Sequence, residues 1–232
     1  MAKKVKASAP SKAEQNVGEI LSKTDQFVDK YWKQMIIGVV AIILIVVGAI
    51  VFHNAYLVPR EQKAQVALFP CERYFADQEW ETALNGNDTD CIGFNEVMSE
   101  YSGTASANLA KAYAGICLYN TGDYEAALKM LKKYSGKDKL FAAQVQAMIG
   151  DCEVSLGNTK KGVDYFKKAA KKANSSTLSP IYLNKAAKAY ESLEDYKSAL
   201  DLFTTIKTKY PQSKEANVVD KYITRNKALL NK

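Results

Sequence analysis

Few side chains in this sequence can do covalent or metal chemistry: four cysteines, Cys71, Cys91, Cys117 and Cys152, and a single histidine, His53. No two cysteines stand at C-x-x-C spacing, so a Cys/His metal cluster has no ligand set. A serine or cysteine nucleophile beyond residue 57 lacks a histidine base. No Gly-x-x-x-x-Gly-Lys-[Ser/Thr] loop offers a phosphate cradle. These residues predict a non-enzyme without catalytic, cofactor-binding or metal-ligating positions. What remains is thiol chemistry. Cys117 and Cys152 fall at one position of an internal repeat, where equivalent sites lie about 9–10 Å apart. A disulfide needs Cα atoms closer than about 7 Å, so two buried free thiols are expected. Cys91 differs, because it stands in a polar insert read as flexible. It can fold back on the helix pair that carries Cys71 and bridge it, or both can remain thiols.

The elements that hold these residues begin with an apolar run. Met35 to Phe52 is eighteen residues without a charged or polar side chain. As a helix it spans roughly 27 Å, close to a bilayer's hydrocarbon thickness of about 30 Å. Tyr31 and Trp32 before it and Tyr56 after it sit where interfacial aromatics belong. His53-Asn54-Ala55 puts a histidine where a signal-peptide cleavage site needs a small residue, so the run is expected to stay as an anchor. Lys30 and Lys33 precede the run, against Arg60 and Lys63 behind it. The positive-inside rule therefore leans toward a cytoplasmic N-terminus and an exported C-terminal part. Before the run, Val17, Ile20, Leu21, Thr24, Phe27, Val28 and Tyr31 recur at helical spacing. They make either a surface helix of their own or an extension of the span. Residues 1–34 are thus expected as a cytoplasmic tail with an amphipathic helix, 35–52 as a transmembrane helix and 57–232 as an exported domain.

Composition sets limits on partners. Hydrophobic residues make up 47% and charged residues 25%, values that fit a globular domain. The +7 net charge divides as +3 before the apolar run and +4 after it. A surplus of four over so many charges reads as a mixed, solvated surface, not as the basic stripe that nucleic acid requires.

Beyond a linker at Leu57-Val58-Pro59-Arg60 the chain reads as helical and repetitive. Segments starting at Gly115, Gly150 and Ala187 superimpose at intervals of 35 and 37 residues. Gly115, Gly150 and Ala187 permit a close approach of the first helix of each pair, and Ala127, Gly162 and Ala199 do so for the second. Leu131, Phe166 and Phe203 fill the space between. Gly122-Asp123-Tyr124 and Gly157-Asn158-Thr159 make tight turns, glycine tolerating positive φ after a helix end. Glu194-Asp195-Tyr196 lacks that glycine, so a slightly different turn is expected there. A degenerate pair lies upstream, with a helix over Ala64–Ala76 and a turn at Gln78-Glu79-Trp80. The insert Asn85–Asp90 and a short helix over Phe94–Ser102 follow it. Lys214–Leu230 is expected to cap the array, since terminal repeats need a soluble outer side.

This pattern resembles the tetratricopeptide repeat (TPR). The expected fold is all-α: one N-terminal transmembrane helix, then a TPR solenoid of about four helix pairs with a C-terminal capping helix. The order of lysine-bearing tail, span and repeat array, with the segments Asn108–Cys117 and Pro180–Leu183, resembles the YfgM-like family. That resemblance implies an inner-membrane protein with a periplasmic TPR domain. Its partners would be Sec translocon subunits and a membrane-anchored periplasmic chaperone, with exported polypeptides as clients. In stacked TPR pairs the first helix of each pair lines an inner groove. By register the groove positions are Leu109, Ala112, Ile116, Tyr119 and Asn120, then Gln144, Ala147, Asp151, Val154 and Ser155, then Ile181, Asn184, Lys188, Glu191 and Ser192. This surface suits an extended or helical polypeptide. Two rival readings stay open: an envelope-assembly or secretion-complex scaffold, and an organelle import receptor with a cytosolic TPR domain.

Overall fold

The computed structural model describes the chain from residue 12 to residue 231, with side chains from Lys30 onward. The regular elements among these residues are all helices. The described residues divide into two units, the boundary falling between Leu57 and Val58.

The first unit is one helix, α1 (Lys12–Phe52), closed by a π-helical turn at His53–Leu57. The amphipathic stretch and the apolar run therefore form one continuous helix. The side chains of Val17 to Val28 lie outside the described residues, as does the chain before Lys12. An 18-residue window of the apolar run reaches a mean hydropathy of 3.3 with none of it buried, long and apolar enough to cross a membrane. Phe52 and Tyr56 stack at its end with ring centroids 5.2 Å apart.

The second unit starts at once with α2 (Val58–Ala76). The expected linker at Leu57–Arg60 is thus mostly helix. Pro59, which has no N–H to give to the preceding turn, follows directly on the π-helical residues His53–Leu57. Next come α3 (Trp80–Asn85) and α4 (Phe94–Glu100). Three longer pairs follow: α5 (Ala105–Asn120) with α6 (Tyr124–Leu131), α7 (Lys139–Ser155) with α8 (Thr159–Ala173), and α9 (Leu178–Ser192) with α10 (Tyr196–Lys209). The closing helix α11 (Val219–Leu230) is shorter than expected. The Ser213 hydroxyl accepts the Ala216 N–H at 3.1 Å, and Pro211 to Val218 stay in turns. Such local side-chain bonds compete with helix formation.

One turn recurs four times. Gln78, Gly122, Gly157 and Glu194 have φ of 63°, 91°, 80° and 58°. The residue after each donates its N–H five residues back, to Tyr74, Leu118, Glu153 and Tyr190 at 2.8–3.0 Å. That bond across a left-handed residue is the Schellman closure. Glu194 therefore keeps the left-handed closure with a slight difference, the smallest φ of the four and an N–H of Leu193 that bonds three residues back to Tyr190 where Thr121 and Leu156 bond four back. The same geometry at Gln78 makes α2 and α3 a hairpin of the same kind as the three behind it.

Packing follows the repeat. A Cβ on Gly115 would lie 2.6 Å from Leu131 Cγ, and one on Gly150 would lie 2.7 Å from Phe166 Cε1. Only a hydrogen leaves room for these knobs. Leu131 and Phe203 are fully buried and Phe166 nearly so. Each contributes about 1.5–3 kcal/mol of apolar burial. Four clusters run along the unit in chain order: Leu68, Phe94 and Val97; Leu131, Val145 and Ile149; Val163, Phe166 and Tyr182; Phe203, Ile206 and Val219.

The insert is ordered rather than flexible. Asn87 Oδ1 accepts N–H bonds from Thr89, Asp90 and Cys91 at 3.0–3.1 Å. Asp90 takes the Tyr74 hydroxyl at 3.0 Å and pairs with Arg73. Cys91 is disulfide-bonded to Cys71, with Cα atoms 5.1 Å apart.

Candidate protein-binding groove

Helices α5, α7 and α9 are the first members of their pairs and carry the residues that the register assigns to a groove. The structure distributes these residues unevenly. Asn120, Gln144 and Lys188 are exposed, as are Ser155 and Ser192. Leu109, Ile116, Tyr119, Asp151, Val154, Ile181, Asn184 and Glu191 are half-buried. Ala112 is fully buried and Ala147 nearly so. Ala112 belongs to the core with Leu131 and Val145, so it supplies no surface, contrary to its sequence assignment. The half-buried apolar residues are partly engaged as well. Leu109 packs on the first core, Ile116 and Tyr119 on the second and Ile181 on the third.

Polar groups tie successive first helices together. Lys185 Nζ donates to Asp151 Oδ2 at 2.6 Å, joining α9 to α7. Burial raises the Asp151 carboxyl above its ordinary value, and Lys185 opposes that rise. Burial likewise pushes up the Tyr119 hydroxyl, against a hydrogen bond with Ser155. Glu191 on α9 accepts from Arg225 and Asn226 on α11. Sequence reading missed Lys185, Arg225 and Asn226. The available signal was an opposite charge one TPR period away, since both charged pairs are separated by 34 residues.

Two acceptors on α7 and α9 are unmatched. Asn184 Oδ1 and Gln146 Oε1 are buried and have no hydrogen-bond partner among the described residues. Asn120 is satisfied locally, its Nδ2 donating to Ile116 O at 2.8 Å. Lys188 Nζ lies 5.8 Å from the Tyr222 ring centre.

The other reactive side chains are buried in the cores beneath these helices. Cys117 and Cys152 are free and buried, and burial pushes both thiols up to about 12. At neutral pH neither offers a thiolate. Among the described residues no group of three or more His, Cys, Asp and Glu side chains converges as a metal site.

Helical hairpins with a repeated Schellman turn, glycine-and-knob packing and a stacked order define a TPR-like array, a protein-interaction scaffold. Comparison with known proteins agrees. Residues 185–213, from α9 to the proline turn after α10, match the tetratricopeptide-repeat family model. The chain is also similar to a TPR repeat-containing protein of Methanocaldococcus jannaschii, 29% identical over 126 residues, or 54% of this chain. The chain spans only 22% of that protein's length.

Proposed function

We propose that this chain is a non-enzymatic membrane-anchored adaptor that holds polypeptide segments along α5, α7 and α9. In this reading Met35–Phe52 crosses the bacterial inner membrane, the residues before it are cytoplasmic and the domain from residue 57 onward is periplasmic. The partners implied by the YfgM-like resemblance are Sec translocon subunits and a membrane-anchored periplasmic chaperone, with exported polypeptides as clients. Nucleic acid is not among them.

The observation that carries the groove reading is Asn184. Its carboxamide oxygen is buried at a groove position without a donor. A buried acceptor left unmatched costs about 1–3 kcal/mol, and turning the half-buried Asn184 side chain outward so that a bound segment's backbone N–H meets its oxygen would remove that penalty. The Cys71–Cys91 disulfide supports an oxidising compartment. Photo-crosslinkers at Tyr119 and Asn184 in membranes test the proposal. Adducts are expected to a translocon subunit, the chaperone or a client. Adducts only to lipid or to the chain itself overturn it. A C-terminal reporter active only in the cytosol would instead favour the import-receptor topology.

A further inference from the structure

The charges of the second unit are sorted rather than mixed. Residues 58–128 hold four basic and eleven acidic side chains, whereas residues 129–232 hold 21 basic and ten acidic ones. The concentration peaks on α8, TKKGVDYFKKAAKKA, with six lysines and a single acid, Asp164. That +5 exceeds the +4 carried by the whole chain after the apolar run.

Helix geometry gathers the lysines on one side. At about 100° per residue, Lys160, Lys161, Lys167, Lys168, Lys171 and Lys172 fall within an arc of about 140°. The opposite side is buried at Gly162, Val163, Phe166, Ala169, Ala170 and Ala173. All six lysines are exposed. Among the described residues none of them pairs with a carboxylate. The ridge extends toward the end of α6, because Lys132 and Lys168 approach the Tyr165 ring centre at 5.8 and 5.3 Å. Solubility alone is served by interspersed signs. Six like charges on one helix face repel one another and call for an anionic counter-surface.

We propose that the lysine face of α8 docks on an anionic bilayer surface. Three features favour lipid over an acidic protein or nucleic acid. The face carries lysine and no arginine, and lysine is depleted in protein interfaces where arginine is enriched. Its ammonium groups are hydrated point charges, suited to a diffuse layer of phosphates rather than to bidentate recognition. Clusters of four to eight basic residues on an amphipathic helix have the charge density that anionic headgroups attract. The inference rests on the reading of Met35–Phe52 as a span, which keeps this domain beside a bilayer.

The test is amine acetylation of the full chain in nanodiscs, read residue by residue by mass spectrometry. Discs of phosphatidylcholine are compared with discs containing ~30 mol% phosphatidylglycerol. Lys160, Lys167 and Lys171 should react about fivefold more slowly in the anionic discs, each lysine near such a surface gaining about that factor. Lys207 and Lys221 should be unchanged, and salt at ~0.5 M should abolish the difference. The variant K167E/K171E should lose the protection of Lys160 and Lys168. Equal rates in both discs overturn the proposal. So does protection by polyglutamate or duplex DNA in detergent without protection in anionic discs, or protection that grows with protein concentration in detergent. Failure of the chain to enter discs at all strikes the span, a separately readable result.

Discussion

Asp151 and Lys185 are 34 residues apart in the chain, and their charged atoms are 2.6 Å apart across α7 and α9. Glu191 and Arg225 repeat the separation one stack further on, from α9 to α11. In a solenoid, residues one period apart occupy equivalent sites on neighbouring hairpins. These ion pairs therefore act between hairpins, where each repeat must be held to the next.

The Asp151–Lys185 pair should respond asymmetrically to substitution. The Lys185 side chain is 41% exposed and that of Asp151 16% exposed. Asp151→Asn returns a lysine to water and should cost less than about 1 kcal/mol. Lys185→Met leaves a mostly buried carboxylate unpaired and should cost about 1–2 kcal/mol. The pH dependence has a definite sign. Burial raises the native Asp151 above its ordinary 3.8, against Lys185. The native state therefore binds the proton more readily than the unfolded state, and this contribution to stability falls as pH rises through the interval between the two values. Without Lys185 the native value rises further, so the Lys185→Met deficit should shrink on acidification. Thermal unfolding of the detergent-solubilised chain between pH 4 and 7 measures this. Equal costs for both variants would show that burial does not govern the pair.

The third repeat's turn should be improvable. Glu194 holds φ 58° where Gly122 and Gly157 hold 91° and 80°. A side chain in the left-handed region costs about 1–2 kcal/mol. Glycine removes that cost but loses about 0.5–1 kcal/mol through its freer unfolded chain. Glu194→Gly should therefore stabilise the protein by about 0.5–1 kcal/mol, seen as a higher unfolding midpoint. Gly122→Ala reverses the same balance and should destabilise it by about 0.5–1 kcal/mol. A Glu194→Gly variant less stable than the parent would mean that the carboxylate itself is needed there.

The sequence made much of this legible, for identifiable reasons. Gly150 and Phe166 are sixteen residues apart in a pattern repeated by Gly115–Leu131 and Ala187–Phe203, and packing at such sites depends on side-chain volume alone. Glu194 keeps the closure with only a slight change in φ, because a glycine is sufficient for a left-handed turn but not necessary. The Schellman bonds on either side impose the conformation on whatever residue is present. Ala112 was misplaced because register assigns an angular position on a helix, while burial depends on how far the neighbouring hairpin covers it. Long-range caps leave no local pattern at all. Glu61, on α2, is bonded to residues more than forty positions away.

That cap gives an acid-sensitive prediction. Glu61 accepts the Ala105 N–H at 2.6 Å, the Ser106 N–H at 3.0 Å and the Ser106 hydroxyl at 2.6 Å. It closes the N-terminus of α5, where a negative charge also meets the helix dipole. Burial raises its carboxyl, but the bonds from Ser106 and Ala105 outweigh this and hold it below the ordinary 4.5. Its stabilisation is therefore complete above pH 4.5 and disappears as pH falls through the lower native value. Glu61→Gln should cost about 1–2 kcal/mol at neutral pH. The gap between variant and parent in thermal unfolding should stay constant from pH 7 to 5 and close in more acid solution. A gap that widens in acid would exclude the charged cap.

The Cys71–Cys91 bridge ties chemistry to compartment. The two residues are separated by 20 positions. Closing a loop of that length restricts the unfolded chain by about 3 kcal/mol. Within the fold the bridge anchors the insert, where the Gly93 N–H also approaches Cys71 Sγ at 3.2 Å. Alkylation of the denatured, unreduced protein should modify Cys117 and Cys152 only. Reductant should lower the unfolding temperature of the parent and leave the double variant C71S/C91S unmoved, since that variant has no bridge to lose. Protein taken from cells should already be oxidised if the domain faces the periplasm. Four alkylatable thiols in freshly isolated protein, with an unfolding temperature indifferent to reductant, would place the domain in a reducing compartment and remove the disulfide's support for export.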